Sequence, residues 1–145
     1  MTSPPDLAAN FPSALADTAM RQRTLLYVED NPANIALVRV LIDRRIDLKL
    51  LTAIDGDQGI LVARSYLPAV ILMDINLPGI NGFEALKILQ SDPVTALTPV
   101  IALSSNAFPN DIETGMKAGF FRYLTKPYAI GDLMDTIDLA LSSTN

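Results

Sequence analysis

Histidine and cysteine are absent from these 145 residues, and each absence removes a class of chemistry. Without cysteine there is no disulfide, thiolate nucleophile, iron–sulfur cluster or cysteine-bound zinc, and without histidine the commonest metal ligand and general base is gone. Most hydrolase and zinc-enzyme mechanisms go with them. Basic residues are also scarce: 11 Lys and Arg against 16 Asp and Glu leave a formal charge of -5. A nucleic-acid backbone needs a basic face to neutralise its phosphates, so direct nucleic-acid binding is not expected. Long apolar runs are missing too. The strongest, around Ala69 to Met73, is far below the roughly 20 residues of a membrane span, and no basic region followed by an apolar core opens the chain. The expectation is a soluble, cytoplasmic protein with no membrane insertion.

What is present is one domain's worth of core, since half of the residues are apolar and the length suits a single domain. Residues 1 to 22 differ in character: Pro4, Pro5 and Pro12 interrupt Ala, Ser, Asp and Asn without a core face. They read as an N-terminal arm or linker, with room for a short helix at Ser13 to Met20. From residue 23 to 142 apolar runs alternate with amphipathic segments, and 143 to 145 form a tail. Strands are predicted at 24–28, 48–53, 69–73, 99–103 and 121–124, without a clean period of two, as expected when helices cover both sheet faces. The first helix opens at Asn31-Pro32, an N-cap followed by proline in the first turn, and buries Ile35, Val38, Leu41 and Ile42. Others are predicted near 56–66, 82–91 and 108–117, and the last carries the stripe Ile130, Leu133, Ile137 and Leu141. Alternating strands and helices predict an α/β fold with a doubly wound, five-stranded parallel sheet.

Three carboxylates mark the strand ends. Glu29 and Asp30 follow the run Thr24 to Val28, and Asp74 follows Ala69 to Met73. The carboxyl ends of parallel strands face the crevice in which ligands bind. Carboxylates drawn together repel unless they share a proton or gain a cation, and an oxygen-only set suits a hard ion such as Mg²⁺. Any one of these acids alone reads more readily as a solvated loop residue or a helix cap, and it is their joint placement that favours a cation pocket. Ser104 and Ser105 close another strand, and Lys126-Pro127 close the last. Cation, hydroxyl and carboxylates together form a coherent set for phosphoryl transfer, with a carboxylate as nucleophile.

Four segments carry a resemblance to a known family: Leu26-Tyr27-Val28-Glu29-Asp30-Asn31-Pro32, then Leu72 to Gly82 around Asp74, then Ala102-Leu103-Ser104-Ser105-Asn106-Ala107, and finally Tyr123-Leu124-Thr125-Lys126-Pro127. In order and at these spacings they resemble the receiver domains of two-component response regulators, over about residues 23–141. The resemblance implies a flavodoxin-like (βα)5 fold with strand order 2-1-3-4-5. It also implies that Asp74 accepts a phosphoryl group from a phosphohistidine on a sensor histidine kinase or histidine phosphotransfer protein. Asp30, Asp74 and the backbone carbonyl of Asn76 would bind Mg²⁺, with Glu29 acting mostly through metal-bound water. Ser104 and Lys126 would contact the phosphoryl oxygens, Tyr123 would be the aromatic switch that follows Ser104, and Lys126-Pro127 would be a cis peptide.

The chain departs from the commonest receiver pattern in small ways. Ser104 stands where Thr is frequent, Ser105 where Ala is usual, and Asn81 where Asp is common; Asn81 itself reads as a turn residue. Asn76 and Asn106 flank the acceptor at positions that tune hydrolysis in the family. None of these removes a required group. The resemblance further implies an output surface on the fourth helix, last strand and last helix, where Phe108, Lys117, Arg122 and Tyr123 lie, with a homodimer or partner contact there.

Two competing readings are weaker. A phosphohydrolase resembling the haloacid dehalogenase family would need a second Asp two residues after the nucleophile, where this chain has Asn76, and an amide cannot transfer that proton. The expectation is therefore a signalling switch and not an enzyme. A degenerate receiver that binds partners without phosphorylation is the alternative, set against the presence of every acceptor-site group. The four residues after Leu141 are too few for an effector domain, so the expectation is a stand-alone regulator or a receiver from a larger protein such as a hybrid kinase.

Overall fold

The computed structural model describes residues 22–105 and 108–143. The predicted arm, apart from Gln22, lies outside the described residues, as do Asn106, Ala107 and the last two residues of the chain. Strands β1 (Arg23–Val28), β2 (Leu48–Ala53), β3 (Val70–Asp74), β4 (Val100–Ser104) and β5 (Arg122–Thr125) alternate with helices α1 (Pro32–Asp43), α2 (Gly56–Tyr66), α3 (Gly82–Ser91), α4 (Pro109–Ala118) and α5 (Ile130–Ser143). All strand pairs are parallel, in the order β2-β1-β3-β4-β5. This is the doubly wound, flavodoxin-like sheet expected from the sequence.

The absence of a simple hydrophobic alternation has a direct cause. Successive strand residues point to opposite faces, and each face is covered. Leu25, Tyr27, Val70, Leu72, Ile101 and Leu103 pack with Val38, Leu41 and Ile42 of α1 and Leu133, Ile137 and Leu141 of α5. Leu26, Val28, Ile71, Met73, Val100 and Ala102 pack with Ala63 of α2 and Ala85, Leu86 and Leu89 of α3. All five residues of β3, the central strand, are buried. Each fully buried Leu or Ile contributes roughly 1.5–3 kcal/mol, which offsets a backbone ordering cost of about 1–2 kcal/mol per residue.

Helix ends follow local chemistry. The Asn31 side chain accepts hydrogen bonds from the amides of Ala33 and Asn34, with Pro32 at the start of α1. Asp55 caps α2 through the Gln58 amide. Asn81, read from sequence as a turn residue, is the N-cap of α3 in a reciprocal capping box with Glu84. Asn81-x-x-Glu84 is itself a capping signature. Helix α2 ends on Leu67 in the left-handed region at φ 48.

Three strands, β3, β4 and β5, start and end one residue later than predicted. The polar residues Asp74, Ser104 and Thr125 are ladder members, with Asp74 opposite Leu103 and Ser104 opposite Thr125. Backbone pairing accepts any side chain, so a run of apolar residues underestimates a strand that ends in a functional one.

Candidate functional site

The parallel register carries Glu29, Asp74, Ser104 and Lys126 to the carboxyl edge of β1, β3, β4 and β5. Glu29 N donates to Ala53 O at 2.9 Å, Ile75 N to Leu103 O at 3.0 Å and Lys126 N to Ser104 O at 2.7 Å, so the strand ends are stitched together just where the polar side chains begin. Lys126-Pro127 is a cis peptide, as the resemblance implied.

Glu29, Asp30 and Asp74 each present a carboxylate oxygen within 4.8 Å of the others. Glu29 is 1% exposed and Asp74 6%, whereas Asp30 is exposed. Two of the three acids are thus removed from water, where unpaired charge is costly. Lys126 supplies the compensation. Its Nζ lies 3.2 Å from Asp74 Oδ2 and 3.5 Å from Glu29 Oε1. Burial alone pulls this ammonium's pKa down, but the Asp74 and Glu29 charges and hydrogen bonds outweigh it and hold the pKa above the ordinary value. Asp74 Oδ1 accepts from the Asn76 amide at 2.9 Å. Ser104 is fully buried at the same edge.

Tyr27 is a site residue that sequence reasoning missed. Its ring is fully buried, and its hydroxyl donates to Glu29 Oε1 at 3.0 Å. Burial, then the Glu29 charge, pushes this phenol's pKa well above its usual range. Asn34 was missed as well: its Nδ2 donates to the same oxygen at 3.3 Å, while the Asn31 amide donates to Oε2 at 3.2 Å. The signals were available in part. Tyr27 stands two residues before Glu29 and shares its strand face, and Asn34 lies in the first turn of the helix that Asn31 caps.

Beside the acids opens a cleft of about 470 Å³ lined by Asn34, Leu37, Ser105, Lys126, Pro127 and Tyr128. Burial raises the Tyr128 pKa, with Lys126 opposing and Glu29 and Asp74 adding to it. Tyr123 is half-buried and lies against Gly115 of α4, where an added Cβ would collide with the tyrosine ring. Of the expected output surface, Phe108 and Arg122 are exposed. Lys117 pairs with Glu113 at 2.9 Å, and Arg122 stacks over Phe121 at 4.8 Å.

A parallel sheet in this order, with acids and a lysine gathered at its carboxyl edge, defines a receiver domain of two-component signalling. The chain belongs to the response regulator receiver domain family, whose model matches residues 25–138. It is 34% identical over 118 residues to protein PilH of Pseudomonas aeruginosa, covering 81% of this chain and 97% of that one. It is 33% identical over 115 residues to the polar-differentiation response regulator DivK of Brucella anthropi, covering 79% and 93%. The receiver domain of sensor histidine kinase PA1611 from Pseudomonas aeruginosa, crystallised with magnesium in its active-site cleft, superposes with a TM-score of 0.75 at 29% identity, over 83% of this chain and 98% of that one.

Members of this family act as signalling switches and interact in general with histidine kinases or phosphotransfer proteins. Among the described residues, no helix is long and apolar enough to cross a membrane.

Proposed function

We propose that this chain is a phospho-accepting receiver in which Asp74 takes a phosphoryl group from a phosphohistidine on a sensor histidine kinase or a histidine phosphotransfer protein. The observation that carries the reading is the convergence on Asp74 of a cation, two further carboxylates and a buried hydroxyl-bearing strand end. An Asp74 carboxylate oxygen attacks phosphorus, the phosphorus–nitrogen bond of the phosphohistidine breaks, and the imidazole keeps the electron pair. Lys126, already 3.2 Å from Asp74 Oδ2, then faces phosphoryl oxygens, and Ser104 supplies a hydroxyl from the neighbouring strand. The Asn76 amide, 2.9 Å from Asp74 Oδ1, orients the acceptor by fixing one of its two oxygens.

The donor set fits a magnesium ion: the carboxylate oxygens of Glu29, Asp30 and Asp74 are mutually within 4.8 Å, and hard oxygen ligands suit it. Asp30, Asp74 and the Asn76 backbone carbonyl are its proposed direct ligands, with Glu29 acting through water. When bound, Mg²⁺ supplies positive charge against the phosphoryl oxygens.

The new dianion then biases a two-state surface. In this reading Ser104 and Tyr123 form the switch, and the α4–β5–α5 face, with Phe108 exposed on it, docks a partner or a second copy.

The test is thermal unfolding with Mg²⁺ and beryllofluoride, a phosphoryl mimic. Stabilisation that requires both additions and disappears in Asp74→Asn is expected. No response from a folded wild type would favour a phosphorylation-independent binding module.

A further inference from the structure

Glu29 is held by more donors than a solvated strand-end acid needs, and they are distributed unevenly. Oε1 receives the Tyr27 hydroxyl at 3.0 Å, the Asn34 amide nitrogen at 3.3 Å and Lys126 Nζ at 3.5 Å. Oε2 receives one donor among the described residues, the Asn31 amide at 3.2 Å. Lys126 is shared with Asp74, and a lysine on a flexible stem is the donor most easily drawn away. Tyr27 is the opposite case. Its ring is fully buried within the core packed by α1 and α5, so the two torsions that place the phenolic oxygen are held by packing and only the O–H itself is free to turn toward its acceptor. The strand geometry places Tyr27 and Glu29 on one face, and the phenol spans the distance between them.

We infer that Tyr27 is a positioning residue for the acidic pocket: its hydroxyl fixes Glu29 Oε1 by a bond that does not depend on the shared Lys126, leaving Oε2 directed to metal-bound water. The inference rests on the magnesium pocket proposed above. A core residue thereby sets the metal affinity of the rim. Removing a partner of a direct metal ligand typically weakens metal binding by about 10–100-fold; Tyr27 acts one step further out, through Glu29 and metal-bound water, so the lower end of that range is the upper bound for its effect.

The experiment is a Mg²⁺ titration of the full chain followed by amide NMR shifts, without any phosphodonor, on wild type, Tyr27→Phe, Glu29→Gln and the double variant. Tyr27→Phe keeps the ring and removes the donor, and is expected to weaken Mg²⁺ binding measurably, by up to about tenfold. In the Glu29→Gln background the same change is expected to have no effect, because the carboxylate it positions is gone. A general structural role would lower affinity in both backgrounds, and that result would overturn the inference. So would wild-type affinity in Tyr27→Phe. Asn34→Ala removes a longer bond to the same oxygen from the surface of α1 and is expected to weaken binding less; an equal or larger loss would contradict the primacy of Tyr27. Absence of Mg²⁺ binding in the wild type is a separate outcome, which would overturn the pocket itself.

Discussion

Lys126 Nζ stands 3.2 Å from Asp74 Oδ2, joining two residues separated by 52 positions in the chain and by one intervening strand in the sheet. The ammonium also reaches Glu29, so one cation is shared by a pair of buried acids and offsets only part of their charge. Replacing it with Lys126→Met leaves both carboxylates without their charge partner. Metal-free stability is expected to fall by about 1–3 kcal/mol, below the 3–5 kcal/mol of a fully buried pair because Lys126 retains some exposure. Urea unfolding measures it, and Mg²⁺ should recover part of the loss.

The sign of the pH dependence follows from the raised Lys126 pKa. A group whose folded value is raised contributes stability fully below its unfolded value, here the ordinary 10.5, and loses it as pH rises through the folded value. The stability gap between wild type and Lys126→Met should therefore be level from neutral pH up to that value and shrink above it. Unfolding midpoints across the alkaline range check this, and a gap that grows above it would contradict the pairing.

Gly115 gives Tyr123 its place. Gly115 is buried and a Cβ there would strike the ring, although Gly→Ala at a helix position with room for the methyl ordinarily stabilises by roughly 0.5–1 kcal/mol. Overpacking costs about 1–3 kcal/mol, so the steric effect should win. Gly115→Ala is expected to destabilise and to shift the Tyr123 ring resonances. In a Tyr123→Ala background the same change should stabilise. A stabilising effect in both backgrounds would show that the ring does not depend on this space.

Leu67 ends α2 with φ 48, a left-handed conformation that costs an L residue roughly 1–2 kcal/mol. Leu67 is 59% exposed, so little packing is lost on truncation. Leu67→Gly is expected to stabilise by about 0.5–1 kcal/mol in urea unfolding, after the larger unfolded-state entropy of glycine is deducted. A loss of stability would mean that the leucine side chain matters more than its backbone.

Much of this architecture was readable from the residues. The strands and helices, and the placement of Glu29, Asp30, Asp74, Ser104 and Lys126 at one edge, follow from apolar runs interrupted by turn chemistry. Strand ends were misplaced by one residue at Asp74 and Ser104 because a polar side chain hides a backbone that is still paired. Asn81 was legible as a cap only together with Glu84, three residues on. That Lys126 and Glu29 share an edge was legible, but the convergence of Tyr27, Asn34 and Lys126 on one oxygen of Glu29 was legible only in part. Its longest link spans 97 residues, and nothing local distinguishes a tyrosine that fills a core from one that also donates to an acid.

The most direct measurement is intact-mass and peptide mapping after incubation with acetyl phosphate and Mg²⁺, with chelator and Asp74→Asn as controls. One phosphoryl group, located on Asp74, dependent on Mg²⁺ and absent from the variant, is the expected result. A folded protein that gains no phosphoryl group, or gains it elsewhere, would contradict the assignment of Asp74 as the acceptor.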